Sequence, residues 1–383
     1  MVTVKGIDDL IGFYCEEGSL EAPDTGGTLR YNIGFFGLAM SSRLDDCAFL
    51  KACRGQKTDY TPIWLYRQAG RYMPEYHEVK GNTPSLTFFK SPELAAKVTC
   101  DAQRILGVDA AILFTDLLPI LEPMGCILDY LPGIGPDISN PIRTNADIDN
   151  IKVVPAADSV DYIRETIQLI RRELPEDIPL IGFAGAPFTL ASYAIEGRGS
   201  RNYVFVKQLM YGDESAWNIL MSKVTDVVID YLNYQIVSGV QAVQLFDSWV
   251  GCLGPEDYRR FVLPHSKRLI ESVSGSVPVI HFGTGNPALL PLMDEAGADV
   301  IGIDWRASLM DSWQLLDAKS VQGNLDPIIL CGNEASVVRE ATALLDRVGG
   351  KPGHIFNLGH GIIPDTPVEN VKALVRTVHE YGR

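Results

Sequence analysis

The sequence has little with which to build a disulfide framework or a cysteine-rich metal site. Its seven cysteines, at 15, 47, 53, 100, 126, 252 and 331, are odd in number, and none forms a C-x-x-C pair. That pattern excludes the common zinc-ribbon and dithiol signatures and fits reduced thiols. No apolar run approaches the roughly 20 residues that span a bilayer. Basic residues are also scarce: 33 Lys and Arg stand against 48 Asp and Glu, a formal net charge of -15. Such a balance argues against nucleic acid and anionic membranes as partners. The beginning of the chain lacks the basic and apolar segments of a signal peptide. Transit peptides are poor in acid, whereas here Lys5 and Arg30 face Asp8, Asp9, Glu16, Glu17, Glu21 and Asp24. A cytoplasmic location is the expectation. A G-x-G-x-x-G turn is missing too. The nearest stretch, "GFAGAPFTL" at 182–190, has the wrong spacing for an open dinucleotide-binding sheet.

What is present is a chain of 383 residues, 46% of them apolar, ample for a large core. Residues 15–29, "CEEGSLEAPDTGGTL", are acidic and rich in turn formers, so residues 1–40 are expected to be a poorly ordered extension. Met40 is the expected natural start, with a helix capped by Ser42 and Gly55 leading into the main body, 41–383.

From there short β-rich runs alternate with amphipathic stretches. The runs are Ile63–Tyr66, Ala110–Phe114, Leu180–Phe183, Ala242–Phe246, Val277–Ile280, Val300–Ile303 and His354–Phe356, with weaker ones at Ile127–Tyr130 and Ser320–Gln322. Helices are predicted over Pro92–Leu106, Ser159–Leu174, Glu214–Ser238, Pro255–Val273, Pro287–Ala296, Glu334–Val348 and Pro367–Tyr381. Strands alternating with helices imply right-handed βαβ units. Seven or eight units in roughly 330 residues point to a single-domain (β/α)8 barrel, a TIM barrel, whose chemistry sits at the carboxyl ends of its strands. Residues 115–150 carry Pro, Gly and Asp throughout and read as an insertion over the barrel mouth.

The residues that follow each apolar run are therefore the candidates. They are Arg67, Asp116, the stretch 184–193, Asp247 with Ser248, His281, Asp304 with Arg306, Asn324 with Asp326, and Asn357 with His360. Solvated loops favour Lys and Glu, and these positions do not. Arg67 and Arg71, with Gly70 between them, are forks suited to carboxylates. Phosphate is the rival anion, for which "NLGHG" at 357–361 is a thin version of the usual loop. Surface ion pairs with Glu75 or Glu78 are the simpler alternative.

Seven stretches resemble the uroporphyrinogen decarboxylase family: "RQAGRYMPEY" (67–76), "FTDLLP" (114–119), "APFTLASYAIEGRGSRNY" (186–203), "QLFDSWVGCLGPEDY" (244–258), "GIDWR" (302–306), "QGNLDP" (322–327) and "NLGHGIIPDTP" (357–367). They run in order from about residue 55 onward. The resemblance implies a distorted barrel, a homodimer, and removal of carbon dioxide from the four acetate side chains of uroporphyrinogen. It implies no metal and no organic cofactor. It places Arg67, Gln68, Ala69, Gly70, Arg71 and Lys80 at the substrate, with Tyr193, Ser248 and His360 as further contacts. Asp116 corresponds to the family's aspartate that holds the pyrrole nitrogens, and Arg67 to its usual candidate proton donor, although His360 and Tyr193 are easier acids. Two alternatives are a zinc-dependent corrinoid methyltransferase of the same superfamily and a non-catalytic tetrapyrrole-binding protein. The first needs His-x-Cys where "HFG" has Gly283, and the second has no need of Asp116.

Overall fold

Proline opens helix after helix in this chain. Pro74, Pro92, Pro187 and Pro255 each sit in a first turn, where the missing N–H has no partner to lose. The computed structural model describes residues 43–131, 133–273 and 275–382. The expectations for 1–40, including the start at Met40 and the Ser42 cap, lie outside the described residues. Three helices span their predicted limits, Pro92–Leu106, Glu214–Ser238 and Glu334–Val348. Two that the apolar pattern did not reveal are Pro187–Glu196 and Val204–Gly212. The helix predicted over Pro255–Val273 is two pieces, Pro255–Phe261 and Leu263–Val273, broken at Val262. The first predicted helix is interrupted at Asp46 and Cys47: residues 43–45 and Ala48–Cys53 are helical, with Asp45 and Asp46 paired to Arg54 and Lys51.

The strands are β1 (Ala111–Ile112), β2 (Leu128–Leu131), β3 (Gly135–Ile138), β4 (Leu180–Gly185), β5 (Ala242–Asp247), β6 (Val279–Gly283), β7 (Val300–Gly302), β8 (Ser320–Gln322) and β9 (His354–Ile355). Seven of them form one parallel sheet in the order β1-β4-β5-β6-β7-β8-β9. The eighth position is occupied by residues 62–64. Ile63 forms a parallel bridge with Phe356, whose N–H donates to Pro62 O at 2.8 Å. On the other side Asp109 N donates to Ile63 O at 2.8 Å, and the Asp109 carboxylate accepts from Ile63 N at 2.7 Å. A side chain thus completes a ladder that a regular strand would complete with backbone, and the (β/α)8 barrel is distorted there.

Two expected strands differ. The run Ile127–Tyr130 belongs to the antiparallel β2–β3 hairpin, not to the barrel. The run that begins at Val277 forms its strand later, over Val279–Gly283, because Pro278 has no N–H to give and polar His281 hides the continuation.

Alternation along the strands sorts the core. Trp64, Tyr66, Ile181, Ala242, Ile280, Phe282 and Ile355 fill the barrel together with Phe49 and Leu50. The helix that carries Phe49 closes the amino-terminal end and is tied there by Ser320 Oγ, which donates to Ala52 O at 2.7 Å. Higher in the barrel the filling is polar. Trp64 Nε1 donates to Gln322 Oε1 at 2.7 Å, and Gln322 Nε2 donates to Tyr66 Oη at 2.5 Å and Gln244 Oε1 at 3.2 Å. These buried groups form the floor beneath the carboxyl ends of the strands.

Candidate active site

The turn after the first barrel segment holds Arg67 in a strained position. Its φ is +62°, a left-handed conformation that costs a non-glycine residue about 1–2 kcal/mol and persists only where the surroundings impose it. Buried Gln68 supplies much of that imposition. Its Oε1 accepts from Leu65 N at 3.2 Å, its Nε2 donates to Ala110 O at 3.2 Å, and its carbonyl accepts from Tyr72 Oη at 2.7 Å. The carboxyl-terminal loop holds the turn from the other side: Asn357 Oδ1 accepts from Tyr66 N at 3.1 Å, and Ile362 N donates to Tyr66 O at 3.0 Å. Gly361 is flush against the arginine, and a Cβ there would lie 2.6 Å from Arg67 Cδ.

Arg67 and Arg71 are both exposed, and among the described residues neither has a carboxylate within 4 Å. The ion pairs with Glu75 and Glu78 are therefore not formed. Ala69 and Gly70 are half-buried on the same turn. Of the residues placed at the substrate by resemblance, Gln68 and Lys80 have their side chains committed elsewhere. Gln68 is clamped as above, and Lys80 Nζ donates to Thr83 O at 2.6 Å.

Asp116, half-buried just past β1, accepts from Leu118 N at 3.2 Å. Burial pushes its carboxyl above the usual 3.8, and the nearby Tyr130, the backbone at Leu118 and Arg67 offset only part of that rise. Tyr130 comes from β2, so the insertion reaches the mouth and adds a phenol beside Asp116. Its pKa is driven far up by burial and by that carboxylate. Sequence reasoning passed over Tyr130; the alternating "ILDYL" read as strand, and nothing local marks which face meets Asp116.

Tyr193 lies on the helix Pro187–Glu196 that follows β4. Its phenol is pushed up to about 12, by burial first and by Asp116 second, with Arg67 opposing. Its ring packs on Trp249, with centroids 3.7 Å apart. A buried clamp fixes this wall. Thr189 Oγ1 donates to Asp247 Oδ1 at 2.9 Å and accepts from Trp249 N at 3.3 Å, which ties the end of β5 to the helix bearing Tyr193. Ser248 lies between Asp247 and Trp249, and its carbonyl accepts from Thr284 Oγ1 at 2.7 Å. His281 faces Asp247 at 3.8 Å, both fully buried on the helix side of the sheet, so it does not open on the mouth. His360 is half-buried, and burial together with Arg67 lowers its pKa, leaving the imidazole neutral near pH 7.

The ends of the first segment, β1, β4 and β9 thus bring Arg67, Asp116, Tyr193 and His360 under one another's fields. One carboxylate is surrounded by phenols and the Arg67 guanidinium, and Arg67 and Arg71 at the rim have no carboxylate partner among the described residues. That arrangement can hold a polyanion by its edge while its centre meets a negative charge. Among the described residues no group of three or more His, Cys, Asp or Glu is placed to hold a metal ion, and no helix is long and apolar enough to cross a membrane.

Comparison with known proteins is concordant over nearly the whole described chain. Residues 45–381 match the family model described as uroporphyrinogen decarboxylase (URO-D). A protein of that name from Carboxydothermus hydrogenoformans is 51% identical over 336 residues, 87% of this chain and 96% of the relative. Its namesake from Sorangium cellulosum is 50% identical over 337 residues, 88% of this chain and 96% of the relative. Among solved structures, a methyltransferase from Methanosarcina mazei superposes with a TM-score of 0.74 at 22% identity, over 90% of this chain and 99% of that one. At that identity the likeness concerns the fold alone.

Proposed function

The chain belongs to the uroporphyrinogen decarboxylase family, and on that premise we propose how its barrel mouth performs the reaction. The enzyme is a carboxy-lyase of tetrapyrrole biosynthesis, converting uroporphyrinogen III to coproporphyrinogen III by loss of carbon dioxide from four acetate side chains. The observation that carries the site reading is Asp116, a carboxylate beside Arg67 and Tyr130 whose charge also reaches Tyr193.

A pyrrole acetate cannot simply shed carbon dioxide, because the electron pair left on carbon needs a sink. Protonation of the adjacent ring carbon makes a cationic ring. The C–C bond to the carboxylate then breaks, its electron pair flows into the ring, and carbon dioxide departs. A proton added to the exocyclic carbon completes a methyl group, and the ring releases the first proton. Asp116, hydrogen-bonded to the pyrrole N–H groups, stabilises the ring cation as it forms. Arg67 and Arg71 grip substrate carboxylates, Ser248, Tyr193 and His360 complete the contacts, and Arg67 beside the acetate is the proton donor. The His360 imidazole is neutral near pH 7, and the Tyr193 phenol, pushed up to about 12, keeps its proton. Both serve as hydrogen-bond donors to the substrate. Gln68 and Lys80 act by shaping the loop, through their bonds to Leu65, Ala110 and Thr83. The same reading takes the catalytic body as residues 41–383. It also takes the enzyme as a cytoplasmic homodimer without metal or organic cofactor, with no nucleic-acid or membrane partner.

The direct test is anaerobic incubation with uroporphyrinogen, followed by oxidation and chromatography. Products with seven, six, five and four carboxylates are expected to accumulate in turn. Binding without any loss of carboxylate would leave a tetrapyrrole-binding protein instead.

Two further outcomes follow from the site. The required form of Asp116 is the anion, and its pKa lies above the usual 3.8. Activity is therefore full above that raised value and is lost as pH falls through it. A kcat/KM profile should show an acid limb displaced above 3.8; a limb at or below that value would oppose this. Gly361→Ala should push the Arg67 side chain aside without changing any charge. The obstructing atoms belong to a flexible side chain, so the fold is expected to hold while kcat/KM falls on the order of tenfold or more, the usual consequence of a misplaced catalytic group. Unchanged kinetics for this variant would show that the position of Arg67 is not critical.

A further inference from the structure

Arg306, just past β7, has no part in the mechanism above, yet it is built like a binding group. Its Nη1 donates to Asp304 Oδ2 at 2.6 Å, and its guanidinium carbon lies 3.4 Å from the centre of the Trp305 ring. Asp304 is 5% exposed and anchored by the backbone: Oδ1 accepts from Arg306 N at 2.9 Å, and Oδ2 from Gly285 N at 3.1 Å. A surface arginine ordinarily swings freely, and its ion pair contributes little. This one is fixed from beneath and from one face, while 49% of its side chain remains exposed.

Its place in the barrel is equally specific. Gly359 packs so tightly on Trp305 that a Cβ there would lie 2.1 Å from Trp305 N, and Gly361 packs on the Arg67 side chain. His360, between these two glycines, therefore has Arg67 on one side and the Trp305–Arg306 turn on the other. The charges register the same placement, since Arg67 and Arg306 both depress the His360 pKa and Asp304 opposes them.

We propose that Arg306 is a further substrate-binding residue of this enzyme, taking a carboxylate of the tetrapyrrole edge across His360 from Arg67. The proposal rests on the decarboxylase reading. The carboxylate it takes is one of the four that survive the reaction. Arg67 stands beside Asp116, where an acetate reacts, whereas Arg306 stands outside that pair and is already partly neutralised by Asp304. It suits a group that must be held through every turnover and then released. Arg306 should accordingly bind substrate and final product alike.

The test uses the oxidised four-carboxylate porphyrin and its neutral tetramethyl ester as probes, read by quenching of tryptophan fluorescence, with uroporphyrinogen turnover measured alongside. Arg306→Gln is expected to weaken binding of the acid roughly tenfold, as for loss of one charge-assisted contact. It should leave the ester unchanged, raise KM by a similar factor and keep kcat within about twofold. Acid binding at the wild-type level, or a loss confined to kcat, overturns the proposal. Should Arg306→Gln fail to fold, Arg306→Lys decides: several-fold weaker acid binding with unchanged ester binding supports it, and wild-type binding overturns it. The two levels of inference separate in the wild-type enzyme itself. Failure to release carbon dioxide defeats the decarboxylase reading, whereas an active wild type with an indifferent Arg306→Gln defeats only the subsite.

Discussion

Asp116→Asn should reduce kcat by about 10²–10³-fold, the effect of removing about 2–4 kcal/mol of preorganised electrostatic stabilisation, while KM changes only a few-fold. The amide keeps the size and the bond from Leu118 N, and it can still meet a pyrrole N–H through its oxygen. What it loses is the charge, which matters most when the ring is cationic. The stability effect should run the other way. Burial raises the Asp116 pKa above 3.8, so the folded protein binds this proton more tightly than the unfolded chain does. The ionised carboxylate therefore opposes folding at neutral pH, and the penalty develops as pH rises from 3.8 through the raised pKa. The asparagine variant should unfold at the same temperature or higher at pH 7. A slow enzyme that is no less stable is the expected result of paired turnover and melting measurements. Full activity would end the assigned role, and a marked loss of stability would place Asp116 in the framework instead.

Arg67→Lys comes next in size, with kcat/KM expected to fall roughly 10- to 100-fold, the range for a lost charge-assisted contact of about 1.5–3 kcal/mol. Lysine restores the charge but not the planar fork, and it inherits the same left-handed backbone at φ +62°. Arg67→Ala should be worse still. Arg71→Lys should act mainly on KM, since Arg71 lies on the rim and its charge is not among those that move the Asp116 pKa. If both lysine variants kept wild-type kinetics, a general positive field would suffice and the bidentate reading would be wrong. Neither arginine has a carboxylate partner among the described residues, so neither substitution breaks an internal ion pair, and the losses should not come from unfolding.

The alternation of short apolar runs with amphipathic helices, and hence the parallel barrel with its working end, follows from periodicity within ten to twenty residues. The sequence carries that periodicity explicitly, as in Pro92–Leu106 and Glu214–Ser238, which form as read. Arg67, Asp116, Tyr193, Ser248 and His360 stand out as candidates for the same reason, since each comes after an apolar run and sits in a distinctive local motif. Asp247 and His281 follow the predicted apolar runs but lie within β5 and β6, whose parity turns them to the helix side. Other features rest on partners far away along the chain. Tyr66 is held by Asn357 and Ile362, Asp109 substitutes for a strand beside Ile63, and Gly361 makes room for Arg67. Gln68 and Lys80 show the limit most directly. The family resemblance places them at the substrate, but whether a side chain faces a ligand or its own backbone depends on which acceptors the fold brings within about 3 Å. Tyr130 reaches Asp116 only because the insertion folds back as a hairpin. The sequence by itself therefore determined the barrel, its family and the residue types at its mouth, because those are written in local pattern. Only the tertiary structure decided which of those side chains meet and which are tied elsewhere, because such contacts are chosen by packing between segments that local pattern does not relate.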